Sequence, residues 1–228
     1  MRSRFFEGLD EDEDLEASNE VFWNCLLQHV REDGWRSPPE AILDIGCHRG
    51  GLLARLARLW PLKQAYGIEP IAAAREKAWA RVAQEVPEVQ MLDVAEWHRV
   101  PTGAIQLITC HEVLYLEPEL DRFMARVRRV LAPAGRAYVV LGCHAENPVW
   151  PTWKQLLEEM GHATYDHRPM EILAAAGSSG LVPSVRPLRS EGWIDHDPRL
   201  TPFTFPDVAT MVDHHFKHKL LFKLVRPE

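Results

Sequence analysis

The sequence predicts an α/β chain built on a doubly wound, mostly parallel sheet. Three observations carry that expectation. Short apolar runs alternate with stretches whose apolar residues recur at three-and-four spacing. The runs are apolar almost throughout, as strands covered on both faces must be. And one of them enters a glycine turn, "ILDIGCHRGG", with a helical pattern following at once.

The elements follow in order. Phe22, Trp23, Leu26, Leu27 and Val30 lie at helical spacing and predict a leading helix over 19–30 with one buried stripe. Ser37-Pro38-Pro39 breaks the chain before a first strand over 41–45. Leu52, Leu53, Leu56, Leu59 and Trp60 mark the next helix face, and Pro61 stops it. "AYGIEP" is a second strand, 71–86 a helix, "VQMLD" a third strand and "IQLITC" a fourth. Leu120, Phe123, Met124, Val127, Val130 and Leu131 define a further helix. Its end is the turn Ala132-Pro133-Ala134-Gly135, after which "RAYVVLGC" is a fifth strand. Beyond residue 150 the rhythm changes: helices over 153–160 and 170–176, then two candidate strands, "LVPSVRPL" and "KLLFKLV". The polar, proline-dotted segment 189–216 lies between those strands.

Length and composition set limits. The 228 residues make most simply one domain with a sizeable core. No apolar run reaches the length of about 18 residues that a membrane span needs, and the acidic start does not read as a signal peptide. Cys25, Cys47, Cys110 and Cys143 show neither metal nor disulfide spacing, so free thiols in a cytoplasmic protein are expected. The net charge of −7 is uneven: residues 1–20 hold eight acids against Arg2 and Arg4, and the rest is one acid in excess. The acidic arm reads as a solvated run leading into a helix N-terminus, where acids are favoured. A near-neutral body lacks the basic footprint of a nucleic-acid binder. The densest basic group, Arg126, Arg128, Arg129 and Arg136, reads as the solvated face of a helix and its end.

In a doubly wound sheet ligands bind outside the carboxyl ends of the strands. Three acids fall there in succession: Asp44, Glu69 and Asp93. A dinucleotide fingerprint beginning at Gly46 would need glycine at 48 and 51, and only Gly51 complies. The pattern DxGxGxG is met by Asp44, Gly46 and Gly50 and departs only at His48. A pyrophosphate wants a bare helix N-terminus, whereas a ligand cationic at sulfur and ammonium is served by nearby carboxylates. Glu69 lies 23 residues after Gly46, the spacing at which an acid accepts both ribose hydroxyls. Dehydrogenase chemistry therefore ranks last.

These stretches together resemble the class I S-adenosylmethionine-dependent methyltransferases. "ILDIGCHRGG" is similar to their first motif, "YGIEP" to the second, "MLDVAEW" to the third, "IQLITCHEVLYLEPE" to the fourth and "VLAPAGRAYVV" to the turn before strand five. The resemblance runs from about Pro38 to Val140. It implies a Rossmann-like, seven-stranded sheet whose last two strands form an antiparallel hairpin. It implies S-adenosylmethionine as cofactor, held by Asp44, Gly46, Cys47, His48 and Gly50 at the turn. Glu69 and Pro70 would lie at the ribose, Asp93 and Val94 at the adenine, and Cys110 and His111 at the methionine and sulfonium end. Residues 1–36 would then be the acidic arm and leading helix, 37–145 the cofactor-binding core and 146–228 lid helices and final strands of one domain. His48 departs from the family pattern: a β-carbon there crowds the methionine end or turns its imidazole to solvent or substrate. Histidine tolerates positive φ better than most residues, so the turn can survive.

Methyl transfer to a hydroxyl or protonated amine also needs a base near the methyl group. "CHEVLYLEP" after strand four offers His111, Glu112 and Tyr115, and "GCHAEN" after strand five offers His144 and Glu146. His111 and His144 are the candidate catalytic residues, and Glu112 is expected to cap the next helix or contact the chain. His162, His167, Asp195-His196-Asp197 and Asp213-His214-His215 fit no closed metal site and read as a polar rim over the substrate mouth. No metal is expected. Trp150, Trp153 and Tyr165 fall where a substrate lid would sit. The expected function is methyl transfer to a small-molecule acceptor at oxygen or nitrogen. The alternatives are a methyltransferase-like binding or regulatory protein without turnover and, further off, a tRNA methyltransferase. Acceptor identity and oligomeric state are not legible in the sequence.

Overall fold

The computed structural model describes residues 9–195 and 203–228, with side chains described from Glu16 onward. The elements run α1 (Leu9–Glu32), β1 (Ala41–Ile45), α2 (Gly51–Leu59), β2 (Gln64–Ile68), α3 (Ala72–Val82), β3 (Glu88–Leu92) and β4 (Ile105–His111). Then come α4 (Leu120–Val130), β5 (Leu131–Leu141), α5 (Trp150–Glu159), α6 (Pro169–Ser178), β6 (Val182–Pro187), α7 (Val208–Asp213) and β7 (Leu220–Val225).

All seven strands form one sheet in the order β3-β2-β1-β4-β5-β7-β6. The first five are parallel, and β7 inserts antiparallel between β5 and β6. The expected seven strands and terminal hairpin are thus present. The chain winds outward one way from β1 and the other way from β4, so the switch point lies between these central neighbours. Its crevice opens at their carboxyl ends, at Ile45 and His111.

Apolar packing closes both faces of the sheet. The α1 stripe Phe22, Trp23, Leu26, Leu27 and Val30 packs with Leu52, Leu53 and Leu56 of α2 on one side. On the other, Phe123, Met124, Val127 and Val130 of α4 meet Trp150, Trp153 and Leu157 of α5 and Ile172 of α6. The alternation along each buried strand sends neighbouring residues into opposite clusters, as Ile42 and Leu43 show.

Three local expectations are corrected. α1 begins at Leu9, about three turns before its apolar stripe, so part of the acidic run is helix rather than a lead-in. Acids are favoured in the first turns of a helix, which lets the helix extend through them. The turn 132–135 is not a break: β5 runs from Leu131, with Ala134 at φ +58 and a register shift opposite Ile105 and Leu107. The extra residues are absorbed as a bulge. The polar segment 189–216 contains α7, whose Asp207 side chain accepts from the Thr210 N–H at 2.7 Å, followed by a π-helical turn His214–His218.

Candidate active site

The turn after β1 is laced to the end of β2. The Gly46 and Cys47 N–H groups donate to the Ile68 carbonyl at 2.8 and 3.2 Å. Gly46 (φ +72) and Gly50 (φ +74) take the left-handed conformation that glycine adopts without cost. A Cβ at Gly46 would also collide with the Val113 side chain. His48 shares this conformation at φ +46, and its N–H donates to Glu69 Oε2 at 3.1 Å. Glu69 Oε1 accepts from the Ile71 N–H at 3.0 Å. Burial raises the Glu69 carboxyl above its ordinary value, and these two backbone donors oppose the rise. Each carboxylate oxygen has two acceptor positions, so one on each stays open.

These groups wall a cavity of about 1140 Å³. Typical small-molecule sites span roughly 300–1,000 Å³, so this one has room for two ligands side by side. Gly46, Cys47, His48, Glu69, Pro70 and Val94 line one part of it, at the glycine turn and past the ends of β2 and β3, and Asp44 and His111 line it at the carboxyl ends of the central strands β1 and β4. Gly50 and Cys110 stay behind the wall, Gly50 as the N-cap of α2 and Cys110 fully buried in β4. Asp93 is turned to other work. Its Oδ1 accepts from the Ala95 N–H at 3.0 Å and caps the 3-10 helix Val94–Arg99, and its Oδ2 pairs with Arg75 at 3.2 Å. Its neighbour Val94 faces the cavity instead.

Asp44 is buried at the carboxyl end of β1 and accepts from Thr109 Oγ1 at 2.7 Å. Burial pushes its carboxyl up to about 7; the Thr109 hydrogen bond opposes this and the Glu69 charge adds to it. A raised folded-state pKa gives stability that is full below the unfolded value and is lost as pH rises through the folded one. Asp44→Asn keeps the acceptor for Thr109 and removes this titration. The variant is therefore expected to gain on the wild type between about pH 4 and 7, by up to about 4 kcal/mol in the ligand-free protein. Urea unfolding at pH 4.5 and 8 reads the difference directly.

The second half of the cavity is aromatic. α1 forms its cover: Trp23 lies against Gly51, Glu16 grips Arg81 through both oxygens at 2.9 Å, and Glu20 pairs with Arg55 at 2.9 Å. The Phe22 ring projects from this cover, stacked on His215 with centroids 5.2 Å apart. Trp153 meets Phe205 and His214 from the opposite wall. His214 and His215 are buried in the wall, which corrects the expectation of a polar rim. His167 is buried with its Nε2 on the Glu117 carbonyl, while Asp195 faces the cavity; His196 and Asp197 lie outside the described residues. Among the described residues no three side chains are placed to hold a metal ion.

The two histidines proposed for proton transfer fare differently. His144 Nε2 donates to the His218 carbonyl at 2.8 Å while its Nδ1 accepts from the Glu146 N–H at 3.2 Å. With both nitrogens engaged and no surface on the cavity, His144 is a structural residue, a correction to the catalytic expectation. His111 lines the cavity, and its Nε2 is buried with no hydrogen-bond partner among the described residues. Burial first, then the Lys219 charge, push its pKa down to about 3 against the pull of Glu112, so the ring is neutral.

Sequence reasoning missed Lys219. It is buried, with its Nζ 2.8 Å from Glu112 Oε1 and 3.8 Å from the Phe22 ring centroid. Glu112 holds φ +54, and its carboxylate accepts from the Gly142 N–H at 2.8 Å. Burial alone would raise the Glu112 carboxyl, but the Lys219 ammonium and the hydrogen bonds from Lys219 and the Gly142 N–H hold it below the ordinary value. Glu112 thus contacts the chain, as expected, rather than capping a helix. Of the basic group on α4 and β5, Arg129 donates to the Trp97 and Val100 carbonyls at 2.9 Å and Arg136 pairs with Asp33 at 3.1 Å.

The sequence matches the methyltransferase domain family over residues 43–139, the span that holds the glycine turn and the acids at the strand ends. That span resembles a class I methyltransferase domain. Among similar proteins, a probable chloroplastic tocopherol O-methyltransferase of rice is 29% identical over 142 residues, 58% of this chain and 39% of the relative. A human thiol S-methyltransferase is 25% identical over 150 residues, 62% of this chain and 59% of the relative. The chain thus spans less than two thirds of either relative's length. Among solved structures, a methyltransferase in complex with the Haloferax volcanii Trm112 methyltransferase activator superposes with a TM-score of 0.78 at 15% identity, covering 100% of both chains. Geranyl diphosphate C-methyltransferase of Streptomyces coelicolor superposes with a TM-score of 0.63 at 17% identity, over 90% of this chain and 76% of that one. These likenesses show the fold that the chain shares with them.

Proposed function

We propose that this protein transfers a methyl group from S-adenosylmethionine to oxygen or nitrogen of a small-molecule acceptor. The observation that carries the reading is the two-part cavity: a carboxylate-lined half at the glycine turn opens directly onto an aromatic half. The donor-side residues fit the cofactor. Glu69 keeps an open acceptor position on each oxygen for a ribose diol, and Val94 flanks the place of the base. Asp44, half-protonated near neutrality, is positioned to charge when a cationic ligand enters. Asp93 supports this half indirectly by fixing Arg75 and the turn at Val94. His48 is accommodated in the turn at φ +46, and its side chain joins the wall.

When bound, the cofactor supplies a methyl carbon activated by its sulfonium leaving group. The chain's own task is alignment and exclusion of water. The α1 cover, with Phe22 and Trp23, closes the space over the strand ends, and Trp153, His214 and His215 pack the acceptor from the far side. Lys219 is neutralised by Glu112, so this buried pair adds no net charge to the wall. A neutral, largely apolar acceptor suits such a surface. Small-molecule chemistry also agrees with the relatives, and the absence of a long apolar helix among the described residues gives no sign of a membrane span.

Incubation with methyl-labelled S-adenosylmethionine and a library of apolar hydroxyl and amino compounds tests the reading. Label is expected in a small-molecule fraction, with S-adenosylhomocysteine formed in equal amount. Label in tRNA alone would overturn it.

A further inference from the structure

The acceptor half contains two polar atoms with unused hydrogen-bonding capacity at the carboxyl end of β4. Lys219 has three N–H donors. One meets Glu112 Oε1 at 2.8 Å, and the ammonium rests on the Phe22 ring at 3.8 Å. His111 Nε2 is buried without a partner among the described residues. A buried polar atom left unmet costs stability, so the site favours a ligand that satisfies it. Both side chains face the cavity, and both lie around the same Phe22 ring, His111 at 6.4 Å between centroids. We propose that Lys219 and His111 together recognise a hydroxyl group on a flat apolar acceptor, Lys219 donating to its oxygen and His111 Nε2 accepting its proton.

Only a group that donates and accepts at once satisfies both atoms. An ether or other methylated head has no proton for His111. A carboxylate would leave His111 unmatched and bring a second anion beside Glu112. An alkylamine is cationic at neutral pH and meets the like charge of Lys219. The aromatic walls, with the ring of Phe22 already stacked on His215, select a flat body. Glu112 is the positioning residue. Its carboxylate is pinned by the Gly142 N–H and fixes the ammonium, and a left-handed backbone for a non-glycine residue persists only where its surroundings enforce it.

The transfer step balances. The hydroxyl oxygen bonds to the methyl carbon as the carbon–sulfur bond breaks and leaves its electron pair on sulfur. The hydroxyl proton passes to His111 Nε2. His111 is too weak a base to ionise the free hydroxyl. It suffices once the oxygen–methyl bond is forming, because the proton on that oxygen is then far more acidic.

This inference rests on the proposed methyltransferase reading, and its test separates the two. Protein saturated with S-adenosylhomocysteine is titrated calorimetrically with four probes sharing one body: 2-naphthol, 2-methoxynaphthalene, 2-naphthoate and 2-(aminomethyl)naphthalene. The expected result is that 2-naphthol binds at least tenfold tighter than the other three. The margin falls below threefold in the double variant Lys219→Met, Glu112→Gln, which leaves no lone buried charge, and independently in His111→Phe. Lys219→Arg keeps it. Equal affinity for 2-naphthol and 2-methoxynaphthalene, or tighter binding of the acid or amine, overturns the inference while S-adenosylhomocysteine binding stands. Failure of S-adenosylhomocysteine itself to bind overturns the methyltransferase reading, and this inference with it.

Discussion

Glu69→Ala is expected to weaken S-adenosylhomocysteine binding by roughly a hundredfold or more. The carboxylate is buried at the mouth of β2, and its two oxygens already take the His48 and Ile71 N–H groups at 3.1 and 3.0 Å. A ribose diol would add two hydrogen bonds to an ionised acceptor, each worth about 1.5–3 kcal/mol. Their joint loss, about 3–6 kcal/mol, corresponds to roughly 10²–10⁴ in affinity. Alanine also releases the His48 N–H, so the glycine turn loses one of its ties to β2. Glu69→Gln keeps the shape and part of the hydrogen bonding and should fall between alanine and wild type. An affinity for the alanine variant within a few-fold of wild type would place the ribose elsewhere.

The largest effect on stability is expected from Lys219→Met made alone. It strands the Glu112 carboxylate, which Lys219 holds at 2.8 Å and which would then keep only the backbone N–H groups of Gly142 and Cys143 as partners. Breaking a buried ion pair from one side costs about 3–5 kcal/mol, while replacing both partners is far cheaper. For a chain of this size that is a fall in Tm of about 6–20 °C. Adding Glu112→Gln should recover most of it, a strong coupling in a double-mutant cycle. The pH dependence follows from the same pair. In the wild type the Glu112 pKa lies below its ordinary value, so this contribution is present at neutral pH and lost as pH falls through the folded pKa. Without Lys219 the carboxylate protonates instead, so the gap between variant and wild type should widen as pH rises. Equal Tm values across pH 5–8 would contradict a buried pair.

What the sequence made legible follows from local physics. The strand runs, the α2 and α4 faces and the glycine turn each carry their signal within a dozen residues, and the sheet order follows from connections between neighbours. That Asp44, Glu69 and His111 would line the crevice was legible because strand ends and the carboxyl edge can be read from the same pattern. Asp93 was placed at the right edge, yet its N-cap role was also written in the chain: Asp93 and Glu96 form a capping box visible as D-x-x-E. The α1 stripe announced burial but not its partner, since periodicity cannot say that Trp23 packs on Gly51 and Phe22 over a cavity. Lys219 was illegible for a related reason. Its partner Glu112 lies far back in the chain, and only the antiparallel return of β7 beside β5 brings them together. The π-helical turn that delivers His214, His215 and Lys219 has no simple apolar period to betray it.

The central claim is that the carboxylate-lined half of the cavity holds an adenosyl cofactor through Glu69. Isothermal titration of the wild type and of Glu69→Ala with S-adenosylhomocysteine tests it most directly. The structure predicts one site with a dissociation constant well below millimolar in the wild type, weakened at least a hundredfold in the variant. No measurable binding to the wild type, or equal binding to both, would contradict it.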